Sequence, residues 1–179
     1  MVEDRIGYRY AKSVYSLADE RKETEAVRGD MQTVLDTITQ SKDLLNLLQS
    51  PLVAPSKKQT IITAIFGKVL NTEMVKNMLE LVIRKGREQF IPNMAKSFLE
   101  LYDQEHKILR GTLTSATEID DEMVAEIKSV MEKRSGQTLE IKQAIDSELI
   151  GGFTLKVGDD LFDGSIAGSI RRARREFIK

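Results

Sequence analysis

The sequence predicts an α+β protein in two parts, a six-helix bundle over residues 1–108 and a small α/β domain over residues 109–179. Two observations indicate this division. Up to about residue 107, apolar residues recur every three or four positions, as they do along one face of a helix. After Arg110 the period shortens to alternating apolar residues, which is typical of half-buried strands. We therefore place the boundary near Arg110.

The first part predicts six helices. Asp4 and Ser56 are residue types that accept hydrogen bonds from the free N–H groups at a helix start. A helix ends at Ser50 because the residue before a proline disfavours helical dihedral angles, and Gly86 is a typical helix stop. The expected helices span residues 4–20, 23–40, 43–49, 56–67, 72–86 and 88–107. The short connections between them favour a compact bundle.

The second part predicts the order strand, helix, strand, strand, short strand and helix, as in a small α+β domain. We expect strands over residues 112–116, 139–145, 153–157 and 161–162, and an amphipathic helix over residues 120–134. The last two strands can pair as a hairpin around Gly158. A basic helix that starts near Asp163 closes the chain.

The composition excludes several kinds of site. The net charge of −1 gives no general reason to bind nucleic acid or an anionic membrane. The absence of cysteine excludes disulfides, thiolate zinc sites and thiol nucleophiles. No run approaches the roughly 18–20 apolar residues of a membrane span, and the start lacks the order of a signal peptide. We expect a cytoplasmic protein that meets a membrane only through a partner.

The first and fifth predicted helices have more apolar surface than one buried face needs. In each, apolar residues cover roughly 200° of the circumference, where a surface helix needs roughly 100°. Both helices are then either central in the bundle or the walls of a groove for an amphipathic helix of a partner. Helical periodicity does not settle which stripe of the first helix faces outward. Its stripes are Ile6, Tyr10, Val14, Leu17 and Tyr8, Ala11, Tyr15, Ala18; the fifth helix contributes Met74, Val75, Met78, Leu79, Leu81, Val82 and Ile83.

No motif points to catalysis, a cofactor or a metal. His106 is the single histidine, so we interpret it as a solvated surface residue. Residues 67–68 lack the rest of a phosphate-binding loop, and the glycine pair at 151–152 does not fit the dinucleotide fingerprint. A hydrolase that uses Ser165 or Asp163 is an alternative, although the G-x-S-x-G context of a serine nucleophile is missing.

Four arginines near the C-terminus raise a further alternative, a nucleic-acid-binding module. No aromatic residues alternate with them to stack on bases. Cations in the last turns of a helix also interact favourably with the helix dipole, and they can pair with acidic groups of the chain or a partner. We favour this second interpretation. The cluster consists of Arg171, Arg172, Arg174 and Arg175.

Several segments resemble the ATP synthase delta subunit family, whose mitochondrial members are called the oligomycin sensitivity conferral protein. The run over residues 145–159, with its two adjacent glycines, and the Asp-Gly-Ser at residues 163–165 resemble the family signature. Tyr-Ala-Lys-Ser at residues 10–13 and Lys-Gly-Arg at residues 85–87 fit the same family. The resemblance spans essentially the whole chain in the family's order. Ser13 stands where the family often has alanine, and Lys85 where it often has asparagine.

The resemblance implies a non-catalytic stator subunit with no cofactor, monomeric when free. It implies a six-helix bundle whose groove between helices one and five holds the N-terminal helix of an alpha subunit. The C-terminal domain would hold the b subunits of the peripheral stalk, and the complex would lie at the cytoplasmic face of a bacterial inner membrane. By position in the motif, the groove candidates are Tyr10, Ser13, Val14, Leu17, Met78, Leu81 and Val82. The motif residues to which we assign a structural role are Gly151, Gly152, Asp163, Gly164 and Ser165.

Overall fold

The computed structural model describes residues 2–146, 149, 151–158, 160–168 and 170, with side chains from residue 5 onward. The chain divides into two compact units, Met1–Glu105 and His106–Lys179. The Arg110 position at which the hydrophobic period changes lies inside the first strand of the second unit.

Helices make up the first unit. They are α1 Val2–Arg21, α2 Thr24–Gln40, α3 Lys42–Gln49, α4 Pro55–Phe66, α5 Glu73–Arg84, a 3-10 helix Glu88–Phe90 and α6 Ile91–Glu105. The expected single helix over residues 88–107 is therefore a 3-10 helix followed by α6. Pro92 explains the break, because its ring nitrogen has no hydrogen to donate to the carbonyl four residues earlier. With α7 of the second unit, the described residues contain seven α-helices with assigned bounds and one 3-10 helix. Residues 166–168 and 170, after the last strand, are also helical.

The core of the first unit forms around α6, which packs against α1 and α2. Phe98 of α6 is fully buried, and its ring centroid lies 5.7 Å from that of Tyr15 in α1. Gly7 of α1 lies so close to Asn93 that an added Cβ would sit 3.0 Å from the Asn93 backbone. α1 and α6 can therefore pack closely where they cross, and α1 forms part of the core.

The second unit contains a four-stranded sheet and the helix α7. The elements are β1 Ile108–Ser115, α7 Asp121–Ser135, β2 Thr138–Ile145, β3 Phe153–Val157 and β4 Asp160–Asp163. The sheet order is β2-β1-β3-β4, with β1 and β2 parallel and the other pairs antiparallel. A parallel pair needs a crossover, and α7 supplies it. β3 and β4 form the predicted hairpin around Gly158.

The first strand is longer than its sequence pattern predicts. It begins at Ile108 instead of residue 112 and pairs with β2 over all eight positions, from Thr138 to Ile145. Because β1 is a central strand, pairing on both sides imposes extended backbone on a segment whose own alternation is weak.

The core of the second unit is small. Its buried cluster is Leu113, Leu139, Leu155 and Val157. Val124, Ile127 and Met131 of α7 pack against this cluster, yet α7 has no buried residue. The α+β class predicted from the sequence is confirmed, and among the described residues no helix has the length and apolar character that crossing a membrane requires.

Candidate functional site

An open groove of about 430 Å³ runs between α1 and α5 in the first unit. Tyr10 lies beside Arg87, just beyond the C-terminal end of α5. From there the groove lining continues along α1 to Arg21 and along α5 back to Met74. The two helices therefore run in opposite directions along the groove. Its lining residues are Tyr10, Ser13, Val14, Leu17, Arg21, Met74, Asn77, Met78 and Leu81.

The groove has an apolar floor and apolar rims. Val14, Met74 and Met78 are buried and form the floor. Leu17 of α1 and Leu81 of α5 keep 39% and 38% of their surfaces exposed. Exposed leucines on two facing helices leave apolar surface in water, which burial against a third apolar surface would remove.

The structure answers which stripe of α1 lines the groove. Ala11 and Ala18 are completely buried, and Tyr15 packs against Phe98 of α6. This stripe therefore faces the core, except for Tyr8, which is exposed. The stripe with Tyr10, Val14 and Leu17 lies on the groove.

Six of the seven residues predicted for partner binding line the groove, and Val82 does not. Its side chain is 0% exposed, so it presents no surface to a partner. Val82 lies about 100° around α5 from Leu81, on the side of buried Val75 and Leu79. The wide apolar arc of α5 thus covers the core on one flank and the groove on the other.

Sequence reasoning missed two polar residues in the groove, Arg21 and Asn77. Arg21 follows Leu17 by four residues, and Asn77 precedes Leu81 by four, so helical spacing places each on the groove face. We overlooked them because only apolar residues entered the stripes.

A polar contact ties the two walls together at one end of the groove. The Nη1 atom of Arg87 donates to the Tyr10 hydroxyl at 2.9 Å, and the guanidinium carbon lies 5.9 Å from the Tyr10 ring centroid. Gly86 has φ of +65°, a left-handed conformation that glycine adopts without strain, and it turns the chain out of α5. The Lys-Gly-Arg segment therefore delivers an arginine to the groove tyrosine.

The glycine pair of the second unit is a close-packing motif. Gly152 has φ of +81°, and a Cβ added there would lie 2.5 Å from the carbonyl oxygen of Gly164. The Gly164 N–H donates to the Phe153 carbonyl at 3.0 Å, and the Ile166 N–H donates to Gly151 at the same distance. The segment after β4 therefore lies directly on the start of β3, which supports the structural role that we assign to Gly151, Gly152 and Gly164.

Asp163 and Ser165 form a helix cap in the same corner. The Asp163 Oδ1 atom accepts from the Ser165 hydroxyl at 2.5 Å and from the Ser165 N–H at 2.9 Å. The Ser165 oxygen in turn accepts from the Gly168 N–H at 3.0 Å, as an N-cap residue does. Ser165 is buried, so its hydroxyl is committed to this cap and does not face a substrate. This geometry disfavours the hydrolase alternative.

Two tyrosines of the first unit have raised pKa values. Burial, with a hydrogen bond to Glu25 and the charge of that carboxylate, raises the pKa of Tyr102 to about 12. Burial also raises the pKa of Tyr15, with smaller effects from Glu105 and Asp19. Both hydroxyls therefore stay protonated at neutral pH.

Within the part of the chain that the structure describes, the remaining sequence candidates add no second site. Across the described ranges, no group of three or more His, Cys, Asp or Glu residues could hold a metal ion. His106 is exposed at the start of the second unit. The arginine cluster at residues 171–175, Asp159 of the turn, and Ser147, Glu148 and Ile150 of the family signature lie outside the described residues.

Comparison with known proteins gives a consistent result. The sequence profile described as ATP synthase delta (OSCP) subunit matches residues 6–177. ATP synthase subunit delta of Christiangramia forsetii is 34% identical over 172 residues, which cover 96% of this chain and 92% of that protein. ATP synthase subunit delta of Lactobacillus gasseri is 30% identical over 177 residues, covering 98% and 96%.

A solved structure shares the fold. A chain in the cryo-EM structure of the Toxoplasma gondii mitochondrial ATP synthase hexamer matches with a TM-score of 0.69 at 18% identity, over 97% of each chain. The likeness extends through both units of the protein.

Proposed function

Because this chain belongs to the ATP synthase delta (OSCP) subunit family, we propose that it ties the catalytic head of an ATP synthase to the peripheral stalk. In this role it is a structural subunit without catalysis, which resists rotor torque so that the head does not turn. The family match over residues 6–177 carries this assignment. It also favours the stator role over the nucleic-acid-binding alternative.

The groove between α1 and α5 is the proposed site for the N-terminal helix of an alpha subunit. From Tyr10 to Arg21 the α1 wall is about 16 Å long, which matches three turns of a bound helix. The buried floor and the exposed leucine rims suit the apolar face of an amphipathic helix laid into a groove. In this proposal α1–α6 act together as one six-helix bundle over residues 1–108.

The second unit, residues 109–179, is the proposed site for the b subunits of the stalk. Support comes from apolar side chains that its small core leaves exposed. Met123 and Val130 of α7 are 50% and 58% exposed, and their seven-residue spacing places them on one side of the helix. A helical stalk segment could bury such a stripe.

We place the subunit at the cytoplasmic face of a bacterial inner membrane, held there through the complex and monomeric when free. Alpha and b subunits are then its partners, and it needs no cofactor for this mechanical role.

The test is a titration of the chain with a labelled peptide that carries the N-terminal helix of the alpha subunit. Leu81→Asp places a charge on the groove rim and should weaken binding at least about 10-fold, because the carboxylate would be desolvated against apolar surface. Tyr10→Ala should also weaken binding, since it removes the groove tyrosine that Arg87 contacts.

The matched control is Leu52→Asp. Leu52 is 93% exposed in the connection between α3 and α4 and does not line the groove, so its change should leave binding unaltered. Circular dichroism checks that all variants keep their helix content. Absence of binding by the unaltered chain at micromolar peptide would contradict the groove proposal.

A further inference from the structure

A buried carboxylate links the groove to a helix that does not line it. Asp30 lies in α2 and is 1% exposed. Its Oδ2 atom accepts from the Thr72 N–H at 2.7 Å and from the Thr72 hydroxyl at 2.6 Å. Its Oδ1 atom accepts from the Asn71 N–H at 2.9 Å. The side-chain amide of Asn71 also donates to Oδ1, at 3.4 Å. Four donors at the start of α5 therefore converge on one side chain from another helix.

This contact replaces a cap that α5 lacks. Thr72 is the N-cap residue of α5, but its side chain makes no capping hydrogen bond to the helix. Its hydroxyl donates to Asp30 instead. A carboxylate near a helix N-terminus also interacts favourably with the helix dipole. Asp30 thus fixes the first residues of α5 to α2 by hydrogen bonds and by charge.

The fixed end of α5 is also an end of the groove. Met74, two residues after Thr72, lies in the groove floor. α1 and α5 contact each other directly, and the Tyr10–Arg87 contact at the opposite end of the groove is exposed to solvent. An exposed contact of this kind is weak, because water competes for both partners. The buried Asp30 contact is the stronger constraint on where α5 begins.

We propose that Asp30 is a positioning residue for the groove, which holds the start of α5 at the distance from α1 that a bound helix requires. The inference rests on the proposed function of the groove as the site of a partner helix. Asp30 itself touches no partner. It acts through Thr72 and through the placement of Met74.

Asp30→Asn tests this with little change in shape. The amide retains one acceptor oxygen, but its NH2 group would face the N–H and hydroxyl donors that the second carboxylate oxygen now accepts. We expect affinity for the alpha-subunit peptide to fall about 10-fold. Asp36→Asn is the matched control, since Asp36 is exposed on the same helix and its carboxylate accepts a hydrogen bond from Gln32 within α2. It should bind as the unaltered chain does.

A distance measurement separates positioning from a loss of stability alone. The chain has no native cysteine, so spin labels can be placed at Glu20→Cys and Glu73→Cys, exposed positions outside the groove on α1 and α5. We expect a narrow distance distribution for the unaltered groove, and a broader or shifted one with Asp30→Asn. Added peptide should restore the narrow distribution. A contact that only stabilises the fold would lower the melting temperature and leave this distribution unchanged.

The outcomes are distinct. Unchanged distances with Asp30→Asn would overturn the inference, whatever the affinity. If the unaltered chain does not bind the peptide, the function proposed for the groove fails, and the label distances still decide whether Asp30 positions α5. If Asp30→Asn does not fold, Thr72→Val replaces it, because it removes only the hydroxyl donor. It should then broaden the distribution and weaken binding about threefold, and wild-type values for both would refute the proposal.

Discussion

The two units differ in how completely their cores are buried. In the first, α6 is enclosed by its neighbours, and large side chains such as Phe98 and Met94 are fully buried. In the second, the cluster of buried hydrophobic residues among the described ones has four members, and the helix α7 that packs against it has no buried residue of its own. The first unit therefore carries a groove that is formed before any partner arrives. The second leaves Met123 and Val130 exposed, and we expect its stability to depend more on its partner.

The largest expected effect comes from the core of the first unit. Phe98→Ala should lower the free energy of unfolding of that unit by about 3–5 kcal/mol, since it removes a fully buried ring between α6 and α1. Urea unfolding followed by circular dichroism, with hydrogen exchange to locate the loss, measures it. Protection of amides in β1–β4 should not change. Loss of protection in both units together would show that they unfold as one, and would remove the contrast between them.

A second substitution tests how much the stability of the second unit depends on the close contact between Gly152 and Gly164. Gly152→Ala should cost about 3 kcal/mol in the second unit, because alanine is strained at φ of +81° and its Cβ would overlap the Gly164 carbonyl. The same exchange measurement reports it, through β3 and β4.

Gly29→Ala in α2 is the opposite case. An added Cβ meets nothing within 4 Å, so alanine should stabilise the first unit by about 0.5–1 kcal/mol. A mild effect of Gly152→Ala, close to that of an ordinary surface change, would show that the corner is looser than its geometry indicates.

An effect about as small as that of Gly29→Ala concerns pH and belongs to the first unit. The pKa of Tyr102, raised to about 12, exceeds the usual value near 10 of an unfolded chain. The folded state therefore holds its proton more tightly, and this stabilisation is complete below pH 10 and is lost as pH rises towards 12. Tyr102→Phe should lower the free energy of unfolding by about 1 kcal/mol at pH 8. Above pH 10, the free energy of unfolding of this variant should fall less steeply with pH than that of the unaltered chain. Urea unfolding of both proteins at pH 8, 10 and 11.5 measures this. Equal slopes of stability against pH for the variant and the unaltered chain would contradict the raised pKa of Tyr102.

The sequence predicted those features that depend on local spacing. Helical period located the helices and showed that α1 and α5 carry surplus apolar surface. It could not separate the flank of α5 that faces the core from the flank that faces the groove, so the groove residues predicted from the sequence include Val82, whose side chain is buried. The place of Pro92 inside a predicted helix also gave no clear sign that a 3-10 helix would precede α6.

Features that depend on distant contacts had no such signal. Asp30 is an ordinary polar residue in the α2 pattern, and its partner Thr72 lies 42 positions further along the chain. The length of β1 was likewise set by its pairing with β2 and β3, and not by its own residues. The periodicity of apolar residues therefore predicts which faces of helices and strands are buried, whereas hydrogen bonds between distant residues are found only in the structure.

The cap that α2 supplies to α5 also has a consequence for the order in which the subunit folds. A 12-residue helix is marginal by itself in water, and α5 has no side-chain cap of its own. We expect its first turn to become stable once α2 has formed and Asp30 accepts its hydrogen bonds. A chain in which α5 has not docked would offer a partner helix only the α1 wall of the groove. We expect the complex to bind the fully folded subunit and not a partly folded one.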